Sequence, residues 1–296
     1  MERLMGKVAI VTGGATGIGE AICKKFAREG AQVVVAGMPE DPVQEVVQEI
    51  LEAGGRAIAF SGDVADADDA MRCVRIAVEE FGKLDILINN AGVFPDMKEL
   101  QQYDIEVFDN MIRNNVRSAF MMSRMALPEL HKTRGCIVSA GSEAGQLGIA
   151  QNTPYGGTKG FIHAFSKGLA VEQAQHGVRV NCVCPGAIDT AWTHKEDGPF
   201  DSEVEKMVIN ATPMGRRGTP EEMANVYLFL ASDEASYVTG ALYFADGGIT
   251  VAKGSVGQKA HDSMKEAPKG ELDLRHSRQG ATEIRWPGGA RDRERL

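Results

Sequence analysis

Short apolar runs recur along the chain, and between them apolar residues return every three or four positions. Residues 7–12 (KVAIVT), 31–36 (AQVVVA), 56–60 (RAIAF) and 84–88 (LDILI) have the length and aliphatic content of buried strands. Residues 135–140, 178–183 and 241–244 repeat the pattern further on. Helical spacing occupies 20–29, 41–53, 66–81, 104–130, 153–176 and 220–230. Strand and helix alternate without hairpin signals, which predicts parallel strands joined by right-handed crossovers. The expected fold is α/β: a single-domain, Rossmann-like, doubly wound parallel sheet of about seven strands with helices on both faces. Residues 191–218 are polar and irregular, include Pro199 and Pro213, and read as a lid over a cleft.

Composition adds a boundary and removes some classes of function. From Lys253 onward ten Lys/Arg stand against seven Asp/Glu, so this part carries +3 and the preceding part −12 of the net −9. Few apolar residues and runs such as Arg291-Asp292-Arg293-Glu294-Arg295 separate a charged extension, 253–296, expected to be flexible, from a folded domain over 1–252. The acidic balance argues against a nucleic-acid partner. No apolar run has the length of a membrane span, and the N-terminus lacks the apolar stretch of a signal peptide. No membrane partner and a cytoplasmic location are therefore expected. The five cysteines show no paired spacing; Cys182 and Cys184 alternate on one strand face and read as packing, with no metal expected.

Candidate chemistry begins after the first strand. TGGATGIG spans residues 12–19 between strand and helix, the context in which glycines let backbone approach a pyrophosphate. In such a fold an acid at the end of the second strand favours NAD and a base NADP. Here Gly37-Met38-Pro39 stands there, and Glu40 or Asp41 either reaches a ribose or opens the next helix. Asp63 either accepts from an adenine amino group or caps a turn. Asn114-Asn115 sits mid-helix, an unfavourable place that signals a helix distortion or an exposed face. Thr153 and Pro154 read as N-cap and first residue of a helix that puts Tyr155 and Lys159 on one face. An ammonium ~5 Å from a phenol contributes about 3 kcal/mol at an effective dielectric near 20, most of what lowering a tyrosine towards pH 7 requires. Gly156, Gly157 and Gly160 in the first turns of that helix imply close approach by another group.

In their order these stretches resemble the short-chain dehydrogenase/reductase family over about residues 6–250. The resemblance rests on TGxxxGIG, Asn89-Asn90-Ala91-Gly92, a serine thirteen residues before Tyr155-x-x-x-Lys159, and Pro185-Gly186 after the sixth strand. It implies a catalytic set of Asn115, Ser142, Tyr155 and Lys159: Asn115 holding a relay water at a helix kink, Ser142 bonding the substrate oxygen, Tyr155 as general acid/base, and Lys159 holding the nicotinamide ribose. It implies cofactor contacts from Gly13, Thr16, Gly17, Ile18 and Gly19, from Asp63 and Val64, from Asn90, Ala91 and Gly92, and from Pro185, Gly186, Ile188 and Thr190. The cofactor is NAD or NADP, with a slight lean to NAD. The partner is a small-molecule carbonyl or alcohol, and the implied assembly is a homotetramer or homodimer.

The implied function is NAD(P)-dependent hydride transfer between nicotinamide and a secondary alcohol or ketone. A 3-oxoacyl carrier-protein reductase is the runner-up, for which Arg216-Arg217 is the only short basic hint; a non-catalytic dinucleotide sensor is the alternative of another class. An enoyl reductase is disfavoured, because that branch spaces its tyrosine and lysine more widely. Phe94, Gln146, Gln151, Asn152, Trp192 and His194 are expected in the pocket wall, a mixture suited to hydroxylated, cyclic or sugar-like ketones. In the extension, Trp286 with Arg275, His276 and Arg278 could dock on a neighbouring subunit, although a solvated appendage is the simpler expectation.

Overall fold

The computed structural model describes residues 2–94, 97–190, 194–195, 198–199, 202–252, 262–268 and 270, with backbone alone at 194–195, 198–199, 202–205 and 262. Seven parallel strands form one sheet: β1 (Val8–Thr12), β2 (Gln32–Gly37), β3 (Arg56–Ser61), β4 (Ile86–Asn89), β5 (Cys136–Ala140), β6 (Arg179–Pro185) and β7 (Leu242–Ala245). Their order is β3-β2-β1-β4-β5-β6-β7. Neighbours are in parallel register, with Ile10 opposite Val34 and Leu87, and Val138 opposite Asn181.

Period-two alternation explains how both faces are covered. In β1, Ala9 and Val11 turn to one face, where they join Ile22 and Phe26 of α1 (Gly17–Arg28), Val46 and Ile50 of α2 (Val43–Glu52), and later Tyr227. Val8 and Ile10 turn to the other, against Cys73 of α3 (Ala67–Phe81). These side chains are fully or almost fully buried. Each valine, isoleucine and phenylalanine among them contributes roughly 1.5–3 kcal/mol relative to exposure, so a one-residue slip of register would be costly. Helix α3 is fixed at both ends: Asp66 accepts from Asp68 and Asp69 backbone N–H, and Gly82 closes it at φ 83°.

The long helix expected over 104–130 is three pieces. Helix α4 (Ile105–Met111) runs through a π-helical turn at Ile112–Arg117 into α5 (Ser118–Thr133). The Asn114-Asn115 pair lies in that turn, so the distortion reading holds, and Asn115 is buried rather than on an exposed face. Helix α6 (Thr153–Gln173) begins one residue earlier than expected, with Asn152 rather than Thr153 at the N-cap.

The stretch read as irregular contains α7 (Ser202–Ala211), and a two-residue ladder pairs His194–Lys195 with Gly198–Pro199. The charged Glu203, Glu205 and Lys206 hid this helix; its Met207, Val208 and Ala211 line the main cavity. Helix α8 (Pro220–Ala231) follows, opened by a Thr219–Glu222 capping box. In the extension, α9 (Asp262–Lys265) packs on the same region, where Arg216 Nε donates to Met264 O at 3.0 Å. Trp286, Arg275, His276 and Arg278 lie outside the described residues. Among the described residues no helix is long and apolar enough to cross a membrane.

Candidate active site

Crossovers from β1 and β4 leave in opposite directions, and the crevice at this switch point is where an open α/β sheet receives ligands. Thr12 and Asn90 hold its floor together. The Thr12 hydroxyl donates to Ile88 O at 3.2 Å and accepts from Asn90 and Ala91 N–H at 3.0 Å each. Asn90 Nδ2 donates to Thr12 O and Gly13 O, both at 3.1 Å. Gly13 and Gly17 take φ of +60° and +55°, conformations that disfavour a side chain. A Cβ on Gly19 would lie 1.9 Å from Gly13 O. The loop is therefore built for backbone approach. Thr16, at the N-cap of α1, makes no capping bond of its own and lines the crevice, so its side chain does not cover the helix N-terminus there.

One cavity of about 550 Å³ runs from the end of β2, past this loop, to Tyr155 and α7. Its size suits a cofactor or small-molecule site. All the site residues expected from the sequence line it except Gly19 and Asn115. Gly19 lies behind the loop. Asn115 is 2% exposed; its Oδ1 accepts from Val93 N at 2.7 Å, and its Nδ2 donates to Val93 O at 3.0 Å and to Thr158 Oγ1 at 3.2 Å. It therefore positions the wall around Tyr155 from outside the cavity.

Asp63 lines the cavity and also caps a turn: its Oδ1 accepts from Ala65 N at 2.9 Å. Its Oδ2 is held by Arg113, through Nε at 2.9 Å and also through Nη2. Nothing local marks Arg113, fifty residues away in the π-helical turn. At the end of β2, Asp41 reaches back so that its Oδ2 accepts from Met38 N at 2.8 Å, and it lines the cavity beside Gly37 and Met38. Of the other residues expected in the wall, Phe94 and Asn152 line the cavity, whereas Gln146 and Gln151 are exposed and do not. Trp192 and the His194 side chain lie outside the described residues.

Tyr155 is 6% exposed, its ring edge-on to Phe94 with centroids 4.8 Å apart. Lys159 Nζ donates to Ala140 O at 2.9 Å and lies 5.5 Å from the Tyr155 ring centroid. The expected lowering of the phenol by the lysine is not what the protein alone produces. Burial pushes Tyr155 well up, a hydrogen bond from Ser142 partly offsets this, and Glu143 adds to the rise. Burial also pulls Lys159 down to about 8, opposed by Cys182 and Cys184 behind it. Those two cysteines are buried as expected, but they pack with His163, whose Nε2 lies 3.2 Å from Cys184 Sγ. Of the three close glycines of α6, a Cβ at Gly156 would meet Ala144 O at 2.9 Å, Gly160 has only an ordinary contact at 3.7 Å, and Gly157 has nothing within 4 Å.

Glu143, unmarked in the sequence, follows Ser142 in a 3-10 turn, Glu143–Gly145. Burial first, and then the charge of Asp246, raises its carboxyl to about 7 from the ordinary 4.5. Between those values the native protein keeps a proton that the unfolded chain has released, so stability falls as pH rises through this window. The loss is at most about 3 kcal/mol, less what solvent screens. Glu143→Gln removes the titration. Relative to wild type it should gain several degrees of Tm at about pH 8 and much less at about pH 4, and equal gains at both would contradict the linkage.

The sequence model of the family described as Enoyl-(Acyl carrier protein) reductase matches residues 13–250. The 2,5-dichloro-2,5-cyclohexadiene-1,4-diol dehydrogenase LinX of Sphingobium indicum is 40% identical over 251 residues, 84% of this chain and 98% of that protein. An L-rhamnose 1-dehydrogenase (NAD(P)(+)) of a Sphingomonas species is 38% identical over 254 residues, 85% of this chain and 99% of that one. Among solved structures, a mutant Serratia marcescens short-chain dehydrogenase/reductase superposes with a TM-score of 0.78 at 35% identity, over 84% of this chain and 99% of that one. With the switch-point crevice and its glycine loop in place, this likeness in sequence and fold means that the chain belongs to the short-chain dehydrogenase/reductase family and is an NAD(P)-dependent oxidoreductase.

Proposed function

We propose that the protein interconverts a secondary alcohol and a ketone, with Tyr155 moving the proton of the reacting oxygen. The observation that carries this reading is the wall formed by Ser142, Tyr155 and Lys159, which shares one cavity with the glycine loop. The bound dinucleotide supplies or accepts hydride at its nicotinamide ring. The Gly13–Gly19 loop would hold its pyrophosphate, Asp63 and Val64 its adenine, and Asn90, Pro185, Ile188 and Thr190 its nicotinamide half. Lys159 would exchange Ala140 O for the ribose hydroxyls. Ser142 orients the substrate oxygen, and Tyr155, neutral in the protein alone, is set to donate in the direction of reduction. In oxidation the phenol must lose a proton, which a cationic ring beside it would favour. Phe94, packed on Tyr155, excludes water from this end.

The same wall argues against a dinucleotide sensor, which needs no proton donor. It also weighs against the acyl-carrier reading: Arg216 is engaged by Glu222 at 2.8 and 2.6 Å and by Met264 O, which leaves it poorly placed to receive a carrier protein.

Within this function NAD is the cofactor we infer, from Asp41. Its carboxylate stands at the end of β2, and the described cations lining the cavity are Lys159, beside Tyr155, and Arg217, in the segment after α7. A ribose hydroxyl can donate to Asp41, whereas a 2′-phosphate about 5 Å away would be repelled by roughly 3 kcal/mol. Calorimetric titration should give NADH the tighter binding by about 10-fold or more. Asp41→Asn keeps an acceptor for Met38 N and should narrow the gap; tighter NADPH binding by the wild type would refute this assignment.

Self-association through the two long helices is supported by Phe120 of α5 and Phe161 of α6, exposed on one flank together with Gly157. Sedimentation at micromolar concentration should give a dimer or tetramer, and a monomer would remove this part of the proposal.

A further inference from the structure

Two polar atoms at the substrate end of the cavity are buried without a hydrogen-bond partner among the described residues: Glu143 Oε2 and Asn152 Oδ1. Neither position is ordinary. Asn152 is 5% exposed and stands at the N-cap of α6, where an asparagine side chain normally accepts from the first turn, yet it makes no capping bond. Glu143 is the chain neighbour of Ser142, close enough to Tyr155 for its charge to act on the phenol. Around them the wall is apolar, with Phe94, Leu147, Ile149, Val208 and Ala211.

Two of the charged groups nearby are engaged elsewhere, and Arg217 lines the cavity on the side of α7. Asp246 accepts from Gly248 N, Thr250 N and the Thr250 hydroxyl, and Lys159 is committed to Ala140 O. The other carboxylates among the described lining residues, Asp41 and Asp63, stand at the ends of β2 and β3.

Two buried acceptors in an apolar wall call for a ligand that brings donors. Once ionised, above about pH 7, the Glu143 carboxylate disfavours an anionic substrate beside it. A plain hydrocarbon ketone would leave both acceptors unpaired, which a site built for hydrogen bonding rejects strongly. A neutral molecule with a second hydroxyl satisfies them.

We propose that Glu143, assisted by Asn152, determines specificity by accepting a hydrogen bond from a hydroxyl on the carbon next to the reacting one, so that the substrate is a vicinal diol or the matching α-hydroxy ketone. The adjacent carbon is the position chosen because Glu143 follows Ser142 in the turn and its charge reaches Tyr155. This deepens the alcohol/ketone reading and rests on it.

The test uses the full chain with its dinucleotide and two alcohols, cyclohexanol and its vicinal diol. kcat/KM is measured for each with wild type, Glu143→Gln and Glu143→Leu. The ratio of diol to mono-alcohol is compared within each protein, so that a loss of folded enzyme cancels. Wild type should favour the diol by about 100-fold, the worth of a hydrogen bond to a charged or strongly polar buried group. Glu143→Leu should bring the ratio close to one, and Glu143→Gln, whose amide oxygen still accepts, should keep an intermediate value. An unchanged ratio in both variants, or a wild type indifferent to the second hydroxyl, overturns the assignment while leaving the alcohol/ketone reading standing. A wild type that binds dinucleotide yet oxidises neither alcohol overturns both.

Discussion

Replacing Tyr155 by phenylalanine is expected to lower kcat by about a thousandfold, within the range that a positioned acid/base contributes. The fold should survive, because the ring that packs edge-on against Phe94 is retained and only the hydroxyl is lost. Dinucleotide affinity should change little, since the glycine loop and the end of β2 are untouched. The check is paired: turnover of a secondary alcohol, and calorimetric titration with NADH, on the same preparation. A variant that keeps more than about a tenth of the activity would show that another group moves the proton and would remove Tyr155 from its proposed role. Parallel loss of binding and turnover would instead point to a structural effect.

Gly19→Ala is the second large effect. The new Cβ would lie 1.9 Å from Gly13 O, 2.6 Å from Asn90 Nδ2 and 2.7 Å from Gly13 C. Two of these atoms are backbone and belong to the turn that we propose holds the pyrophosphate, so no side-chain rotation relieves the clash. The loop must move away from α1, and overpacking of this kind costs typically 1–3 kcal/mol in stability. Displacing the loop should also weaken NADH binding by about 100-fold or more. The measurement is Tm together with NADH affinity. Wild-type values for both would mean that the loop yields without cost and that its tight geometry is incidental. Gly19 does not touch the cavity, which makes this a test of what supports the loop rather than of a ligand contact.

Much of the architecture was legible because it follows from local pattern. The apolar runs of β1, β2 and β4 have the composition of strands buried on both faces, and the structure buries them so. Tyr155 and Lys159 are four apart on a helix, which is enough to bring both to one wall of one cavity. The glycine loop carried its own evidence, since strand, tight turn and helix are consecutive in the chain.

What local pattern did not carry is instructive residue by residue. Asp41 could be read as a helix opening or a ribose contact, and only its hydrogen bond back to Met38 N places it on the cavity wall. Arg113 meets Asp63 across fifty residues because the π-helical turn passes the end of β3. The lysine was expected to make Tyr155 acidic, a charge argument that holds at fixed dielectric. The fold instead withdraws the phenol from water, and this desolvation outweighs the hydrogen bond from Ser142 that lowers it. Charged residues likewise masked α7, which turns Met207, Val208 and Ala211 to the cleft.

The sequence by itself determined the class of fold and the order of its elements, and it brought Tyr155 and Lys159 to one helix face, because helix and strand periods act over a few residues. Tertiary structure decided the directions in which burial moves Tyr155 and Lys159, the place of Asp41 on the cavity wall, and the burial of Glu143 Oε2 and Asn152 Oδ1 without a hydrogen-bond partner among the described residues. Burial and hydrogen bonding depend on which distant segments meet, and no local spacing encodes that.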